Sequence, residues 1–397
     1  MLQDPICIRY HLAEDTINSN DIERLIGWLK SNPHLTKGEL TAQFENRWSQ
    51  WLGRNYSVFS NSGSSANLLM YYTLLCSGRL RNKKVIVPAA GWVTSIAPAI
   101  QFGFEPLMCE ADPDTFGLDL NHLEALLKAH RPSTVMLVQV LGVPHKMDAI
   151  LKLKDQYGFI LLEDACAAIG ASREDRMVGT FGDMASFSFY FGHQMSTIEG
   201  GMVSTDDPFY RDLLLMIRSH GWDKDLGRAK HGELVEKYEI DDFYTPFVFY
   251  VPGFNVRSSD LNAFIGLGQM DKLDWIIERR SENHNRYIRN LGKHFYIQRP
   301  DTQQTKLCSI HFAILAKSIE ERRAVITALI ENGIESRIFS AGHLGLHPFW
   351  FERYGKPKLP MAERIHDTGL FLPNHPSMNL SDIDFISNVV TEAVCVP

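Results

Sequence analysis

With 397 residues, 45% of them hydrophobic and 22% charged, the chain can bury a large core and has room for one large domain plus a smaller one. A formal net charge of −7 without any basic block argues against nucleic acid as a partner, and no uncharged apolar run is long enough to span a membrane. Six scattered cysteines (Cys7, Cys76, Cys109, Cys166, Cys308, Cys395) form no C-x-x-C pair. That suits reduced thiols in a cytoplasmic enzyme and offers no zinc or iron–sulfur cage. The stretch Met1–Pro5 lacks the basic and apolar regions of a secretion signal, so a cytoplasmic location is expected.

In chain order, apolar positions 22, 25, 26 and 29 have helical spacing, with Asn20 as the expected N-cap and a stop near Pro33. Glu39 to Leu52 reads as a second helix with Leu40, Phe44, Trp48 and Trp51 on one face. Val58–Ser60 is a strand running into the turn Ser62-Gly63-Ser64-Ser65, and a helix is predicted to begin near Ser64 or Ser65. Such a helix start is either an anion site or simply a serine-capped helix. Val85–Pro88 is a buried strand followed by Trp92, which could lie against a planar ligand or pack as plain core. Strands at 105–110 and 134–140 alternate with helices at 120–129 and 147–157. This pattern predicts an α/β fold with a mainly parallel sheet covered on both faces, and ligands beyond the strand carboxyl ends.

Phe159–Cys166 is a strand ending in Glu163-Asp164. Alternation sends the two carboxylates to opposite faces. Asp164 could hold a metal, act as a base or face a protonated heterocycle; no further hard ligands lie nearby, which argues against the metal. Ser186–Gly201 reads as a strand, a polar turn around His193 and a glycine pair that could bring backbone close to a phosphate. A helix follows from Asp207 to Ser219, then a long excursion over 223–250 with poor periodicity. Another helix, capped near Ser258 or Ser259, is expected to run past Gly268 to Glu278. From about 270 onwards, helices at 270–290 and 319–332 with strands at 308–315 and 335–339 predict a smaller α+β unit. The boundaries are set at 1–265 and 266–397, with the N-terminal segment packing on the small unit.

Ser62-Gly63-Ser64-Ser65-Ala66, Trp92, Glu163-Asp164, Ser188 with His193 and Glu199-Gly200-Gly201, Ser219-His220-Gly221 and Gly253–Arg257 occur in this order. The combination resembles the sugar aminotransferases, fold type I enzymes dependent on pyridoxal phosphate (PLP), over roughly residues 20–390. The resemblance implies an aspartate-aminotransferase-like fold with a seven-stranded, mainly parallel sheet. It also implies that Asp164 pairs with the pyridine nitrogen of PLP and that Trp92 stacks on the ring. Ser64, Ser65 and Ser188 would hold the phosphate, joined by Asn255 from the other subunit of a homodimer with shared sites. His220 would be a second active-site histidine and Arg337 a substrate-binding residue of the small unit.

The departure lies at His193, where the aminotransferases carry the lysine that forms a Schiff base with PLP. Imidazole cannot form that bond, but it can move a proton near neutral pH. A histidine here resembles the dehydrating branch of the family. That branch implies PLP and its pyridoxamine form (PMP), L-glutamate as amine donor, and a nucleotide-linked 4-keto-6-deoxy sugar that loses its C3 hydroxyl, a GDP sugar foremost. A related branch carries an iron–sulfur cluster, for which the cysteines give no support. Ala167 stands where the family has a polar side chain near the cofactor's ring hydroxyl. A nucleotide-sugar aminotransferase and a non-catalytic regulator that binds PLP or a nucleotide sugar are the alternatives.

Overall fold

A computed structural model describes residues 8–300 and 305–395, so Met1–Pro5 and Cys7 lie outside the described residues. Seven five-residue strands, rich in β-branched and other apolar residues, build the main sheet. They are β1 (Tyr56–Ser60), β2 (Lys84–Pro88), β3 (Glu105–Cys109), β4 (Thr134–Val138), β5 (Ile160–Asp164), β6 (Met184–Ser188) and β7 (Gly201–Thr205). Their order is β1-β7-β6-β5-β4-β2-β3. The pairs from β6 through β5, β4 and β2 to β3 are parallel, whereas β7 runs antiparallel to both β6 and β1. Each parallel step needs a crossover: Ala97–Gln101 lies between β2 and β3, Leu120–His130 between β3 and β4 and Met147–Tyr157 between β4 and β5, while Gly63–Cys76 leads from the edge strand β1 to β2. The result is the expected α/β layering, with the carboxyl ends of β4, β5 and β6 opening on one edge.

The second sheet has four antiparallel strands in the order β8 (Tyr296–Ile297), β9 (His311–Leu315), β11 (Gly369–Pro373), β10 (Arg337–Ile338). Helices Leu273–Leu291, Ile319–Glu331 and Leu380–Cys395 accompany it. Its core joins Tyr287, Phe312, Leu329 and Ile383 with Tyr10 from the N-terminal segment. The Arg9 and Tyr10 amides donate to the Gly333 carbonyl, and the Glu335 amide donates to the Tyr10 carbonyl.

Several local expectations change in the structure. The first helix, Ser19–Leu29, is capped by Asn18 rather than Asn20, because Asp21 closes a reciprocal capping box with Asn18 at 3.1 and 2.9 Å. Its apolar residues Ile22, Ile26 and Leu29 are exposed on this chain. The helix expected to run to Glu278 stops at Met270 and a new one starts at Leu273, so a boundary at 265 would cut the first of them. The excursion holds a helix, Arg228–Lys237, none of whose residues is buried, which is why no apolar period marked it. Beyond it Phe243, Tyr244, Phe247 and Phe249 are exposed.

Candidate active site

The third helix begins at Gly63, one residue earlier than expected, because Ser62 caps it: the Ser65 amide donates to the Ser62 Oγ at 3.0 Å. Of the glycine pair after the His193 turn, Gly201 packs on this junction and Gly200 on the turn itself. A side chain at Gly201 would meet the Ser62 carbonyl at 2.2 Å, and one at Gly200 would meet Thr197 Oγ1 at 2.2 Å. Gly63 in turn lies against Ser188, where a Cβ would come within 2.5 Å of the serine Cβ. Glycine at these positions lets β6, β7 and the helix N-terminus converge.

Ser62, Gly63 and Ser64 therefore border a cavity of about 400 Å³ together with Trp92, Asp164, Ser188, His193 and Arg337. Six residues expected to serve one site thus meet there. Asp164 closes the end of β5. Its Oδ2 accepts from Asn67 Nδ2 at 2.8 Å and Ser95 Oγ at 2.6 Å, and its Oδ1 accepts from the Cys166 amide at 3.1 Å. Ser186 Oγ donates to Asn67 Oδ1, which turns the amide nitrogen towards the carboxylate. Glu163 points the other way and accepts from the Phe181 and Gly182 amides. Trp92 is half-exposed at the rim, as an aromatic wall rather than core.

His193 sits in a turn closed by its own amide donating to the Tyr190 carbonyl at 2.9 Å. Its Nδ1 lies 3.4 Å from the Ser188 carbonyl; a proton there leaves the Nε2 lone pair free to accept another. Burial lowers the imidazole pKa to about 4, assisted by the Arg280 and Arg337 charges and opposed by the Ser188 carbonyl and Asp164. At neutral pH the ring is an uncharged base. The next residue, Gln194, anchors the turn by donating to the Ala167 and Cys308 carbonyls at 2.8 Å each. Arg337 makes no ion pair among the described residues, and its guanidinium lies 5.4 Å from the Phe371 ring centre. Desolvation holds it below the usual arginine range.

Three expected residues are not brought to this cavity. Ser65 is occupied by the cap, with its Oγ 3.0 Å from that of Ser62. Asn255 lines a second cavity of about 550 Å³ with Lys37, Trp222, Lys224 and Arg257. His220 has φ +63° in a tight turn, where its amide donates to the Phe254 carbonyl and its ring packs on Trp222, outside the lining of the first cavity. The two cavities share one lining residue, Glu199.

Asn67, Ser95, Tyr190 and Ser340 complete the site and were not singled out from the sequence. A polar Asn67 inside the apolar run Ala66–Tyr71 was the available signal for the first.

The profile of the DegT/DnrJ/EryC1/StrS aminotransferase family matches residues 15–391. The chain belongs to this family. A GDP-4-keto-6-deoxy-D-mannose 3-dehydratase of Yersinia pseudotuberculosis is 32% identical to this member over 93% of the chain and 95% of its own length. Among solved structures, an Escherichia coli GDP-4-keto-6-deoxy-D-mannose 3-dehydratase with bound hydrated PLP superposes with a TM-score of 0.87 at 29% identity, covering 97% of this chain and all of that one. Another GDP-4-keto-6-deoxymannose 3-dehydratase structure, holding a trapped PLP–glutamate geminal diamine, gives a TM-score of 0.86 at 28% identity, with 96% of this chain and 100% of that chain covered. The fold of this DegT/DnrJ/EryC1/StrS member is accordingly fold type I.

Proposed function

We propose that the protein is a PLP/PMP-dependent 3-dehydratase that removes the C3 hydroxyl of GDP-4-keto-6-deoxymannose, with L-glutamate as amine donor. The observation that carries this reading is a neutral imidazole, not a lysine amine, in the turn facing Asp164 across the cavity. Similarity to dehydratases over nearly the whole chain supports the substrate class.

The residues present fit the cofactor. The start of the helix at Gly63, with the hydroxyls of Ser64 and Ser188 beside it, suits a phosphate. Trp92 offers a flat wall, and Asp164, held by three donors, offers a fixed carboxylate for a pyridine nitrogen. When bound, PLP supplies an electron sink and an amine carrier. Glutamate and the sugar then give the deoxygenated sugar, 2-oxoglutarate and ammonia, and atoms balance without another reactant.

His193 takes up and returns a proton through Nε2, while its Nδ1 stays on the Ser188 carbonyl. Because imidazole makes no covalent bond to an aldehyde, the protein has no amine of its own with which to displace an aminated product, and elimination wins. Arg337, which makes no ion pair among the described residues and stands in the cavity wall, binds substrate anions.

A homodimer is part of this reading. The exposed Ile22, Ile26 and Leu29, and the aromatic residues 243–249, suit a second copy. Asn255, and His220 beside it, would then serve the partner's cavity across that contact. No helix among the described residues is long and apolar enough to cross a membrane, and we place the enzyme in the cytoplasm.

The test is product mass after incubation with PLP, glutamate and GDP-4-keto-6-deoxymannose. A nucleotide sugar lacking one oxygen, with ammonia released, is expected. A product carrying an amine in place of the keto oxygen would make the protein a transaminase and refute the proposal.

A further inference from the structure

Arg280, on the helix Leu273–Leu291, is 1% exposed and lies directly behind the His193 turn. Its Nη2 donates to the His193 carbonyl at 2.9 Å. Its Nη1 donates to the Ile310 carbonyl at 3.0 Å and also to the Asn374 carbonyl, while Nε has no partner. Among the described residues no Asp or Glu forms an ion pair with it. Burial lowers its pKa to about 10, which still leaves it charged at neutral pH. A buried guanidinium without a carboxylate is expensive, and carbonyl dipoles offset only part of that cost. Such a charge acts on whatever titrates beside it.

We propose that Arg280 is a positioning residue for proton transfer at His193: it fixes the turn through the His193 carbonyl and sets an uncompensated positive charge behind the imidazole. The proposal rests on the reading of His193 as the base. A like charge at that position disfavours the imidazolium, so the ring waits as a base and gives its proton back readily.

The other groups facing His193 come from every neighbouring element. Asp164 at the end of β5 favours the protonated ring, and Arg337 on β10 disfavours it. His311 on β9 is itself held well below the ordinary histidine range, chiefly by burial, and stays neutral. Tyr190, in the same turn, meets the ring edge-on at 6.1 Å. Arg280 differs from Arg337 in two respects: it lies outside the cavity lining, and it is bonded to the His193 backbone.

The experiment is an NMR titration of the imidazole Cε1–H signals in cofactor-free, histidine-labelled protein, with His193 assigned by its loss in His193→Asn. In the parent protein His193 is expected to titrate near pH 4. Arg280→Met should raise that value by about one pH unit, whereas Arg280→Lys, which keeps the charge but loses the fork, should leave it low. A purely structural role would weaken folding in both variants and shift neither titration. Should the Met variant fail to fold, Arg280→Gln supplies the neutral comparison. A parent His193 titrating near its ordinary value of about 6.5, or an unshifted neutral variant, overturns the proposal. Failure of the base reading looks different: His193→Asn would still dehydrate the sugar while the Arg280-dependent shift remained.

Discussion

The two cavities differ most in what stands behind them. Both are backed by an arginine that is almost wholly buried, Arg218 behind the second and Arg280 behind the catalytic one. Arg218 is bracketed by Glu45 at 2.5 Å and Asp225 at 2.9 Å, and Asp225 also takes Lys37 at 2.7 Å. Those carboxylates raise the Arg218 pKa against its burial. Arg280 has carbonyl oxygens alone, and burial lowers its pKa. A neutralised buried cation holds structure together and projects little field. An uncompensated one leaves its charge to be felt by its neighbours, the His193 imidazole among them.

The largest effect is expected where the catalytic cavity's own carboxylate is removed. Asp164→Ala should cut turnover roughly a thousandfold, read as 2-oxoglutarate formed from glutamate; an active variant would remove Asp164 from the chemistry. On the other side, Glu45→Ala removes one of the two carboxylates on Arg218 and leaves Asp225 in place, so it should cost about 1–3 kcal/mol of stability, measured by urea unfolding. A cost near zero would mean that Arg218 is not held as an ion pair in solution.

Acid should sharpen the contrast. His193 and His284 have folded pKa values lowered to about 4 and about 3, chiefly by burial. The unfolded chain therefore binds more protons below its own histidine pKa, and stability is lost as pH falls from that value towards the folded ones. At pH 5 each should have cost on the order of 2 kcal/mol relative to pH 7, checked by unfolding at both pH values with His284→Asn as a control.

Smaller effects come from the second cavity. Asn255→Ala should weaken PLP binding by about 1 kcal/mol, seen by absorbance titration, if that cavity completes a partner's site. Ser65→Ala should leave PLP affinity unchanged within about 0.5 kcal/mol, because the Ser65 hydroxyl belongs to the helix cap.

What could be read in the sequence was what lies close along the chain. The Ser62–Ser65 turn before a helix, Asp164 at a strand end and His193 in its turn each carry local signals, and the fold returns them to one cavity. The mainly parallel layering was legible for the same reason, since several of its strands are apolar runs alternating with helices, whereas the number of strands came from the resemblance. Arg280 was illegible: in the charged stretch Glu278–Arg289 nothing distinguishes it until Ile310, Asn374 and His193 close around it. The helix Arg228–Lys237 was missed because it buries no face. That His220 and Asn255 lie close together, through the bridge between Ser219 and Asn255, and that Asn255 lines the second cavity could not be told from spacing.

The anchoring of Gln194 has a mechanical consequence. Its one amide group donates to Ala167, which follows the main sheet's β5, and to Cys308, which precedes β9 of the small sheet. This stitch braces the His193 turn from both sheets, whereas Arg337 reaches the cavity from the small sheet, whose next residues Ser340 and Ala341 donate to the Gly91 carbonyl.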